Sequence, residues 1–326
     1  MGVQHGKQAA PLIRNYLAWI EKLTGKPRAA LTANAMRFVP LIEKLSRKYM
    51  DEVMGLAEGA GISLADAMLC QCRAEAARQW DGGCTAFALR GRATAGGATL
   101  AGQNQDLEPE YADVAIVLKV IPNDGRPRAV MLTFAGQLGY MGMNQHGVAE
   151  FANALYNFNW RAGLPHYPLK RLMLEQKSMA DCFDLFRNNK TASAANIVLC
   201  DGDGAIGDIE VRPEGMVVLG DANLDRRLHC NHYLSREFVR FEDNTLPDSP
   251  HRLRRIRQLV ERNWGRIDVA RLKDMLADHE GHPAAICRHG DRGMHSICGY
   301  IAEPDQGLFH VRRGHGCDGH WEPYSV

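Results

Sequence analysis

The sequence predicts an α+β fold built from two mostly antiparallel sheets with helices on their outer faces. Residues 8–80 have helical periodicity, strand patterns dominate the chain after residue 84, and few strands are followed by single helices. Because a doubly wound parallel sheet needs a regular strand–helix–strand alternation, this order of elements disfavours it. With 326 residues the chain can bury a large core, as one domain with an additional segment or as two domains.

The N-terminal segment is predicted to form several amphipathic helices. Apolar residues recur three or four positions apart in two stretches, Ile13, Leu17, Ile20 and Leu23, and then Phe38, Leu41, Ile42 and Leu45. Ser63 followed by Asp66 is typical of a helix N-cap with an acidic residue at the third helical position.

The rest of the chain alternates between groups of strands and pairs of helices. Short apolar runs bounded by turn residues predict strands over 85–89, 98–102, 114–121, 129–134, 148–153, 196–200, 206–211, 216–219, 296–301 and 307–312. Helical periodicity predicts helices over 169–175, 179–186, 252–262 and 269–276. Residues 202–207 match the G-x-G-x-x-G pattern of dinucleotide sites, but a strand pattern follows them, so we interpret them as a hairpin turn.

Composition narrows the class of protein. A net charge of +1 does not favour a nucleic-acid or acidic-membrane partner. No apolar run approaches the roughly 18 residues of a membrane span, and the first ten residues lack the apolar core of a secretory signal. Nine cysteines scattered along the chain argue against a disulfide framework. We therefore expect a cytoplasmic protein, whose oligomeric state the sequence leaves open.

The pair Gly83-Cys84 is the strongest functional signal. Cleavage between these residues would leave Cys84 as a new N-terminus, with a thiol nucleophile and an α-amine that acts as its base. Gly82 and Gly83 allow an unusual backbone conformation at the junction, and a β-carbon at position 83 would hinder the thiol from reaching the Gly83 carbonyl. The alternative interpretation of Cys84 is a buried structural cysteine.

Two further groups of residues are candidates for a functional role. Cysteines and histidines cluster at His229/Cys230/His232, Cys287/His289 and His315/Cys317/His320. A zinc site needs three or four ligands to converge, and none of these spacings is a C-x-x-C pair, so we expect no metal. A metal-dependent hydrolase built on these clusters is the competing class of enzyme. The basic run Arg252, Arg254, Arg255 and Arg257 is interpreted as a solvated helix face.

Several short stretches, taken in chain order, resemble one family. They are 83–85, 102–106, 142–148, 153–155, Glu210, 229–234, 249–255, 287–289 and 314–317. Together they resemble the acyl-coenzyme A:6-aminopenicillanate acyltransferase family of N-terminal-nucleophile (Ntn) hydrolases, and more distantly penicillin V acylases and bile salt hydrolases. One departure is Gln105, which stands where the family usually has an aromatic residue before the aspartate.

The resemblance implies a fold and a reaction. The fold is a four-layer αββα sandwich, with residues 1–83 as a helical pro-segment and residues 84–326 as the catalytic domain that begins with Cys84. The enzyme would cleave Gly83–Cys84, keep the pro-segment as a small subunit, and form a thioester between Cys84 and an acyl group. It would then hydrolyse an amide or transfer the acyl group to an amine. No metal or organic cofactor is implied, and acyl-CoA is a candidate substrate.

The resemblance also assigns roles to residues. Asp106 would orient the α-amine, Asn231 would support the oxyanion or the amine, and Asn153 would donate to the oxyanion. The arginine of the set is Arg292, with Arg288 as the alternative. Four aromatic residues are candidates to line an acyl pocket, although core packing explains them equally well: Tyr140, Tyr156, Phe158 and Trp160. A non-catalytic protein that retained the fold is the remaining alternative.

Overall fold

The computed structural model describes residues 1–79, 82–156, 160–243, 246–290 and 293–326. Within these ranges the N-terminal segment contains helices α1 (Gly2–Thr24), α2 (Arg28–Met36), α3 (Val39–Leu45), α4 (Arg47–Ala60), α5 (Leu64–Gln71) and α6 (Arg73–Ala77). Later helices are α7 (His166–Met173), α8 (Met179–Asn188), α9 (Ser249–Arg262) and α10 (Val269–Leu276). No helix in the described ranges is both long and apolar enough to cross a membrane.

The strands of the described ranges form two antiparallel sheets. They are β1 (Gly83–Leu89), β2 (Leu100–Leu107), β3 (Ala115–Val120), β4 (Ala129–Phe134), β5 (Gly142–Asn144), β6 (Ala149–Ala154), β7 (Ala195–Cys200), β8 (Ile206–Arg212), β9 (Gly215–Val218), β10 (Arg226–His229), β11 (His295–Glu303), β12 (Leu308–Arg313) and β13 (His320–Ser325). One sheet has the order β10-β1-β2-β11-β12-β13, and the other runs from β3 to β9 in chain order.

The two sheets face each other between layers of helices. Strand β1 contacts β6 and β7 of the opposite sheet, while α9 and α10 cover the outer face of its own sheet and α8 covers β8 and β9. The predicted α+β fold with αββα layers is therefore confirmed. Every residue of β1 is buried, because one face meets the second sheet and the other meets α9. A strand covered on both faces reads as a continuous apolar run without alternation.

The sequence prediction of elements misses one very short strand and two polar edge strands. The predicted strands and both hairpins, β1–β2 and β7–β8, are present. Three strands were missed, β5, β10 and β13; β5 has only three residues, and the other two lie at the edges of the first sheet and are rich in polar residues. Helix α1 begins at Gly2 rather than near residue 8.

The N-terminal helices dock on the turn that follows β4. The ring of Tyr16 lies 6.0 Å from the ring of Phe134, measured between centroids. The Gln71 side chain forms two hydrogen bonds with the backbone of the turn. Its Nε2 donates to the Gly136 carbonyl at 2.6 Å, and its Oε1 accepts from the Leu138 N–H at 2.9 Å. The segment is thus attached through both apolar and directional contacts.

Helices α1 and α4 pack backbone against backbone at glycines. A β-carbon added at Gly59 would lie 2.2 Å from the Val3 carbonyl oxygen, and one added at Gly6 would lie 2.4 Å from the Leu56 carbonyl oxygen. Because both distances are far below van der Waals contact, the helices can approach this closely only while these positions lack side chains.

Replacing Gly59 with alanine should therefore destabilise the protein. Overpacking of this kind costs about 1–3 kcal/mol of unfolding free energy, although alanine is the better helix former. Urea unfolding of the full chain measures the change. Glu58→Ala, at an exposed position of the same helix, is the matched control and should stay within about 0.5 kcal/mol of wild type. Equal stability of Gly59→Ala and wild type would show that the two backbones are not in contact.

Candidate active site

Strand β1 carries Gly83 and Cys84 into the interface between the sheets. Gly83 pairs with Asp106 on β2, and Cys84 pairs with Gln105. Cys84 is only 2% exposed, since β6 and β7 of the second sheet cover it. The structure describes the uncleaved chain, so the nitrogen of Cys84 is a peptide nitrogen.

Asn231 holds the nitrogen of Cys84. The Cys84 N–H donates to Asn231 Oδ1 at 2.7 Å. The other end of the amide, Nδ2, donates to the Ala154 carbonyl at 3.0 Å, and the Asn231 N–H donates to Ser249 Oγ at 2.7 Å. Because the side chain is fixed at both ends, Oδ1 is an acceptor aimed at this nitrogen. Of the two roles implied for Asn231, the contact favours support of the nitrogen.

Arg252 of α9 completes this group, and its interpretation as a solvated residue was wrong. The guanidinium is fully buried and donates through Nη2 to Asn231 Oδ1 at 2.8 Å. Its Nη1 donates to the Cys84 carbonyl oxygen and, at 3.0 Å, to Thr85 Oγ1. Its Nε donates to Asp248 Oδ2 at 2.6 Å. One side chain therefore connects the strand that carries Cys84, the Asn231 loop and the start of α9.

The helical period of α9 is the sequence signal that indicates the burial of Arg252. Ile256 and Val260 follow it at four-residue intervals and are fully buried, so Arg252 shares the apolar face of α9. Arg254 and Arg257 lie on the opposite side and are exposed, as predicted.

Asp106 is a buried carboxylate whose two oxygens differ in their partners. Its Oδ1 accepts from Ser296 Oγ at 2.6 Å. Its Oδ2 accepts no hydrogen bond from the described residues and lies 3.8 Å from Arg288 Nη1. Burial raises the pKa of Asp106, while the positive charges of Arg252 and Arg288 oppose this rise. An unpaired carboxylate oxygen in such a place is a ready acceptor for a new donor beside it.

Glycines let the backbone pass between these charged groups. Gly82 has φ of 87°, in the left-handed region that glycine adopts readily. A β-carbon at Gly83 would lie 3.0 Å from Arg288 Nη1 and 3.3 Å from Asp106 Oδ2. The Tyr156 hydroxyl donates to the Gly82 carbonyl at 2.7 Å. Tyr156, predicted to line a substrate pocket, thus contacts the junction backbone in the uncleaved chain.

Asn153 lies on β6 and lines the same cleft as Cys84. Its Nδ2 donates to Asn196 Oδ1 at 2.8 Å, and its Oδ1 accepts from Gln103 Nε2 at 2.8 Å. Because an amide nitrogen carries two hydrogens, one remains for an oxyanion. The oxyanion role of Asn153 stays a prediction.

The cleft beside Cys84 is small in the uncleaved chain. Its volume is about 70 Å³, compared with roughly 300 Å³ or more for typical ligand pockets. Tyr140 lies in its wall, where the sequence predicted a substrate contact, and Gln105 lies there too. Arg73 and Glu75 of helix α6 form another part of the wall. The N-terminal segment therefore helps to close the cleft.

Lys170 was not identified from the sequence. It is buried in the cleft wall, with Nζ 4.4 Å from the centroid of the Tyr140 ring and 3.1 Å from Met141 Sδ. Burial lowers the pKa of Lys170, while the nearby Glu150 carboxylate opposes this change. A lysine in a predicted helix is normally solvated, so its residue type gave no signal.

The remaining predicted residues divide into three groups. Phe158 and Arg292 lie outside the described residues. Arg288, the alternative to Arg292, reaches toward Asp106 as described above. Trp160 lines a separate cavity of about 590 Å³ beneath the N-terminal helices, together with Lys26, Arg37, Phe38, Arg78 and Arg161.

The thiol of Cys84 is protonated in the uncleaved chain. Burial, with a further contribution from the Asp106 charge, raises the pKa of Cys84 to about 12, although Arg252 and Lys170 oppose this. Any attack by this sulfur therefore needs a group that accepts its proton.

Glu210 fastens the loop that carries Asn231. Its carboxylate accepts from the Leu234 N–H and from Ser235 Oγ, each at 2.5 Å. It also pairs with His229 at 3.2 Å. Burial acts to raise the pKa of Glu210, but these bonds outweigh it and lower the pKa. The resemblance included Glu210 without a role, and its contacts show it to be a loop anchor.

Comparison with known families identifies the family of this chain. The family model described as acyl-coenzyme A:6-aminopenicillanic acid acyl-transferase matches residues 93–313, more than half of the chain. The chain belongs to this family. The matched range of the acyl-transferase family includes Asp106, Asn153 and Asn231 and begins after Cys84. Membership confirms the resemblance noted in the sequence and the prediction that the chain is an enzyme.

The comparisons also found individual proteins to which the chain is similar. The chain is 28% identical over 299 residues to the 40 kDa form of acyl-coenzyme A:6-aminopenicillanic-acid-acyltransferase from Emericella nidulans, covering 88% of this chain and 81% of that protein. Among solved structures it is similar to penicillin V acylase from Agrobacterium tumefaciens, with 12% identity, a TM-score of 0.49, and coverage of 74% of this chain and 86% of the other. A variant of conjugated bile acid hydrolase from Clostridium perfringens gives 12% identity, a TM-score of 0.45, and coverage of 74% and 97%.

Removing the guanidinium of Arg252 should strongly destabilise the fold. Arg252→Met removes the guanidinium donors to Asp248 Oδ2, Asn231 Oδ1 and the Cys84 carbonyl oxygen. Removing one partner of a buried ion pair costs about 3–5 kcal/mol of unfolding free energy. Arg254→Met, the same change at an exposed position of α9, should cost less than about 0.5 kcal/mol. Denaturant unfolding followed by circular dichroism measures both. If the two variants lose equal stability, the buried network does not support the fold.

Proposed function

We propose that this chain is a self-processing cysteine Ntn enzyme that cleaves its own Gly83–Cys84 bond. The mature Cys84 then forms a thioester acyl-enzyme, which is hydrolysed or passes its acyl group to an amine. The observation that carries the proposal is the position of the Cys84 nitrogen. It is bonded to Asn231 Oδ1 at 2.7 Å, on the strand position next to Gly83, which pairs with Asp106.

Self-cleavage proceeds in two steps, attack by the Cys84 sulfur and hydrolysis of the resulting thioester. The Cys84 sulfur attacks the Gly83 carbonyl carbon, the C–N bond breaks, and the thiol proton ends on the departing nitrogen. This gives a thioester to Gly83 and a free α-amine on Cys84. Water then adds to the thioester, which releases the Gly83 carboxylate and restores the thiol. The products have 83 and 243 residues, the latter being 326 less 83.

The junction has features that support the first step. Tyr156 holds the Gly82 carbonyl at 2.7 Å and so fixes the peptide before the scissile bond. A side chain at position 82 would be strained by the positive φ. A side chain at position 83 would enter the crowded space between Arg288 and Asp106. These contacts limit the orientations that the Gly83 carbonyl can take toward the sulfur.

After cleavage the new α-amine would lie between two acceptors, Asn231 Oδ1 and the unpaired Asp106 Oδ2. With its hydrogens directed to these oxygens, its lone pair is left to take the proton of the Cys84 thiol. Asp106 acts here as orienting carboxylates do in catalytic triads. This arrangement supplies the base that the buried thiol needs.

In the second reaction the Cys84 thiolate attacks an acyl substrate. Asn153 donates to the resulting oxyanion, a contribution typically worth about 10²–10³ in rate. We assign the mature enzyme amide C–N hydrolysis, with acyl transfer when an amine replaces water. The Emericella nidulans relative is named for transfer from an acyl thioester to an amine, which supports acyl-CoA as a donor here. Neither reaction needs a metal or an organic cofactor.

The cleaved pro-segment is proposed to stay bound as a small subunit. Arg73, ten residues before the junction, donates through Nη1 to the Tyr111 hydroxyl at 2.5 Å and through Nη2 to the Tyr167 hydroxyl at 3.0 Å. The Glu75 carboxylate accepts from the His166 N–H at 3.0 Å. None of these bonds involves the scissile peptide, so cleavage leaves them intact.

Intact-mass spectrometry under denaturing conditions tests self-cleavage. Wild-type protein should give two fragments divided between Gly83 and Cys84, and Cys84→Ala should remain one chain because it lacks the attacking sulfur. A panel of amide and acyl-CoA substrates is then assayed with both proteins, and only wild type should turn them over. An intact wild-type chain, or cleavage of Cys84→Ala at the same bond, would refute the proposal.

Removing the Tyr156 hydroxyl should slow self-cleavage. Tyr156→Phe loses one hydrogen bond to the Gly82 carbonyl, and a contribution of about 0.5–1.5 kcal/mol corresponds to a roughly two- to tenfold lower rate. The rate is followed as the cleaved fraction during cell-free synthesis. Tyr324→Phe, which loses only an exposed bond to Glu322, should cleave at the wild-type rate. Equal rates for Tyr156→Phe and wild type would exclude a role for this contact.

A further inference from the structure

Two of the three cysteine–histidine clusters in the sequence meet in the folded chain, which revises the expectation that there is no metal. Cys287 and His289 lie in the loop after α10, and Cys317 lies in the turn between β12 and β13. His279, not singled out from the sequence, lies near the start of the same loop. One ligand atom from each of the four residues lies within 4.8 Å of all the others.

The four groups converge more closely than hydrogen bonding explains. His289 Nε2 lies 2.8 Å from His279 Nε2 and 3.5 Å from Cys317 Sγ. A ring nitrogen has one in-plane lone pair or one hydrogen, so it cannot form good hydrogen bonds with both groups. In a tetrahedral zinc site with Zn–N of about 2.0–2.1 Å and Zn–S of about 2.3 Å, ligand atoms lie about 3.3–3.8 Å apart. Small shifts of these side chains would therefore place all four around one ion.

We propose that His279, Cys287, His289 and Cys317 bind one zinc ion. Two thiolates and two imidazoles in tetrahedral arrangement are a typical zinc ligand set. Four protein ligands leave no open coordination position, so the site is structural and takes no part in hydrolysis. The sequence did not reveal it because its ligands come from the loop after α10 and from a distant turn, without a short motif.

The zinc site would hold Arg288 in place, because Arg288 lies between the ligands Cys287 and His289. Arg288 Nη1 lies 3.0 Å from Asp248 Oδ2 and 3.8 Å from Asp106 Oδ2. The loop around it has irregular backbone. A metal that joins this loop to the β12–β13 turn would therefore limit the movement of Arg288 relative to Asp106. This consequence rests on the proposed function, whereas zinc binding does not.

Zinc content measured on the full chain tests the site. The protein is an untagged Cys84→Ala chain expressed with zinc, so the result is independent of self-cleavage, and metal is measured by inductively coupled plasma mass spectrometry. About one zinc per chain is expected. His279→Ala and Cys317→Ser, both at exposed positions, should lose most of it. His320→Ala, an exposed histidine outside the four-residue set, should keep it.

Cobalt(II) is the spectroscopic probe for the same site. Added to the metal-free parent chain or to His320→Ala, it should give thiolate-to-cobalt charge-transfer absorption and the visible bands of tetrahedral cobalt. Cys317→Ser should weaken the charge-transfer absorption. The parent spectrum keeps the test decisive even if a variant does not fold. Three results would overturn the proposal: a metal-free parent chain that gives no such spectrum, zinc retained in both ligand variants, or a Cys287–Cys317 disulfide in the peptide map of the native protein.

Discussion

The buried guanidinium of Arg252 is the interaction on which the candidate site depends. A charged group without access to water must be surrounded by acceptors, since leaving one buried and unpaired costs several kcal/mol. Arg252 finds them in Asp248, the Cys84 carbonyl oxygen and Asn231 Oδ1. Asp248 lies at the start of α9, Cys84 is on β1, and Asn231 is in the loop fastened by Glu210. The hydrogen bonds of one charged group therefore fix three elements relative to each other. The position of Cys84 follows from that constraint.

Charges around the junction alternate in sign. The carboxylates of Asp106 and Asp248 face the guanidiniums of Arg252 and Arg288. Within this group Asp106 Oδ2 is a buried carboxylate oxygen that accepts no hydrogen bond from the described residues. An unsatisfied buried acceptor typically costs about 1–3 kcal/mol. Under the proposed mechanism, cleavage creates an amine beside this oxygen, so the site would gain a hydrogen bond on processing. In the uncleaved chain this buried oxygen would then lack a hydrogen bond that it accepts in the processed chain.

The sequence was sufficient for the layers of the fold and for the strand that carries Cys84, and insufficient for the residues that surround Cys84 in the structure. Long buried strands such as β1 are visible because both faces are apolar, whereas the edge strand β13 is largely exposed and carries no such pattern. Arg252 was missed because a run of arginines was judged by its charge, while burial is decided by helical period. Asp106 and Asn231 came from the family resemblance, since their partners are distant in sequence. The same distance concealed that His279 and Cys317 converge with Cys287 and His289.

Under the proposed mechanism, the size of the cleft would make substrate access depend on processing. In the uncleaved chain about 70 Å³ lies beside Cys84, well below the roughly 300 Å³ or more of typical ligand pockets. The Tyr156 hydroxyl is meanwhile engaged by the Gly82 carbonyl. If cleavage frees the backbone at Gly82 to move away, the same hydroxyl is released toward the space next to Cys84. Tyr156 would then contact the junction before processing and the substrate after it, which reconciles its observed contact with its predicted role. The scissile segment would occupy the place of the substrate until Cys84 becomes an N-terminus.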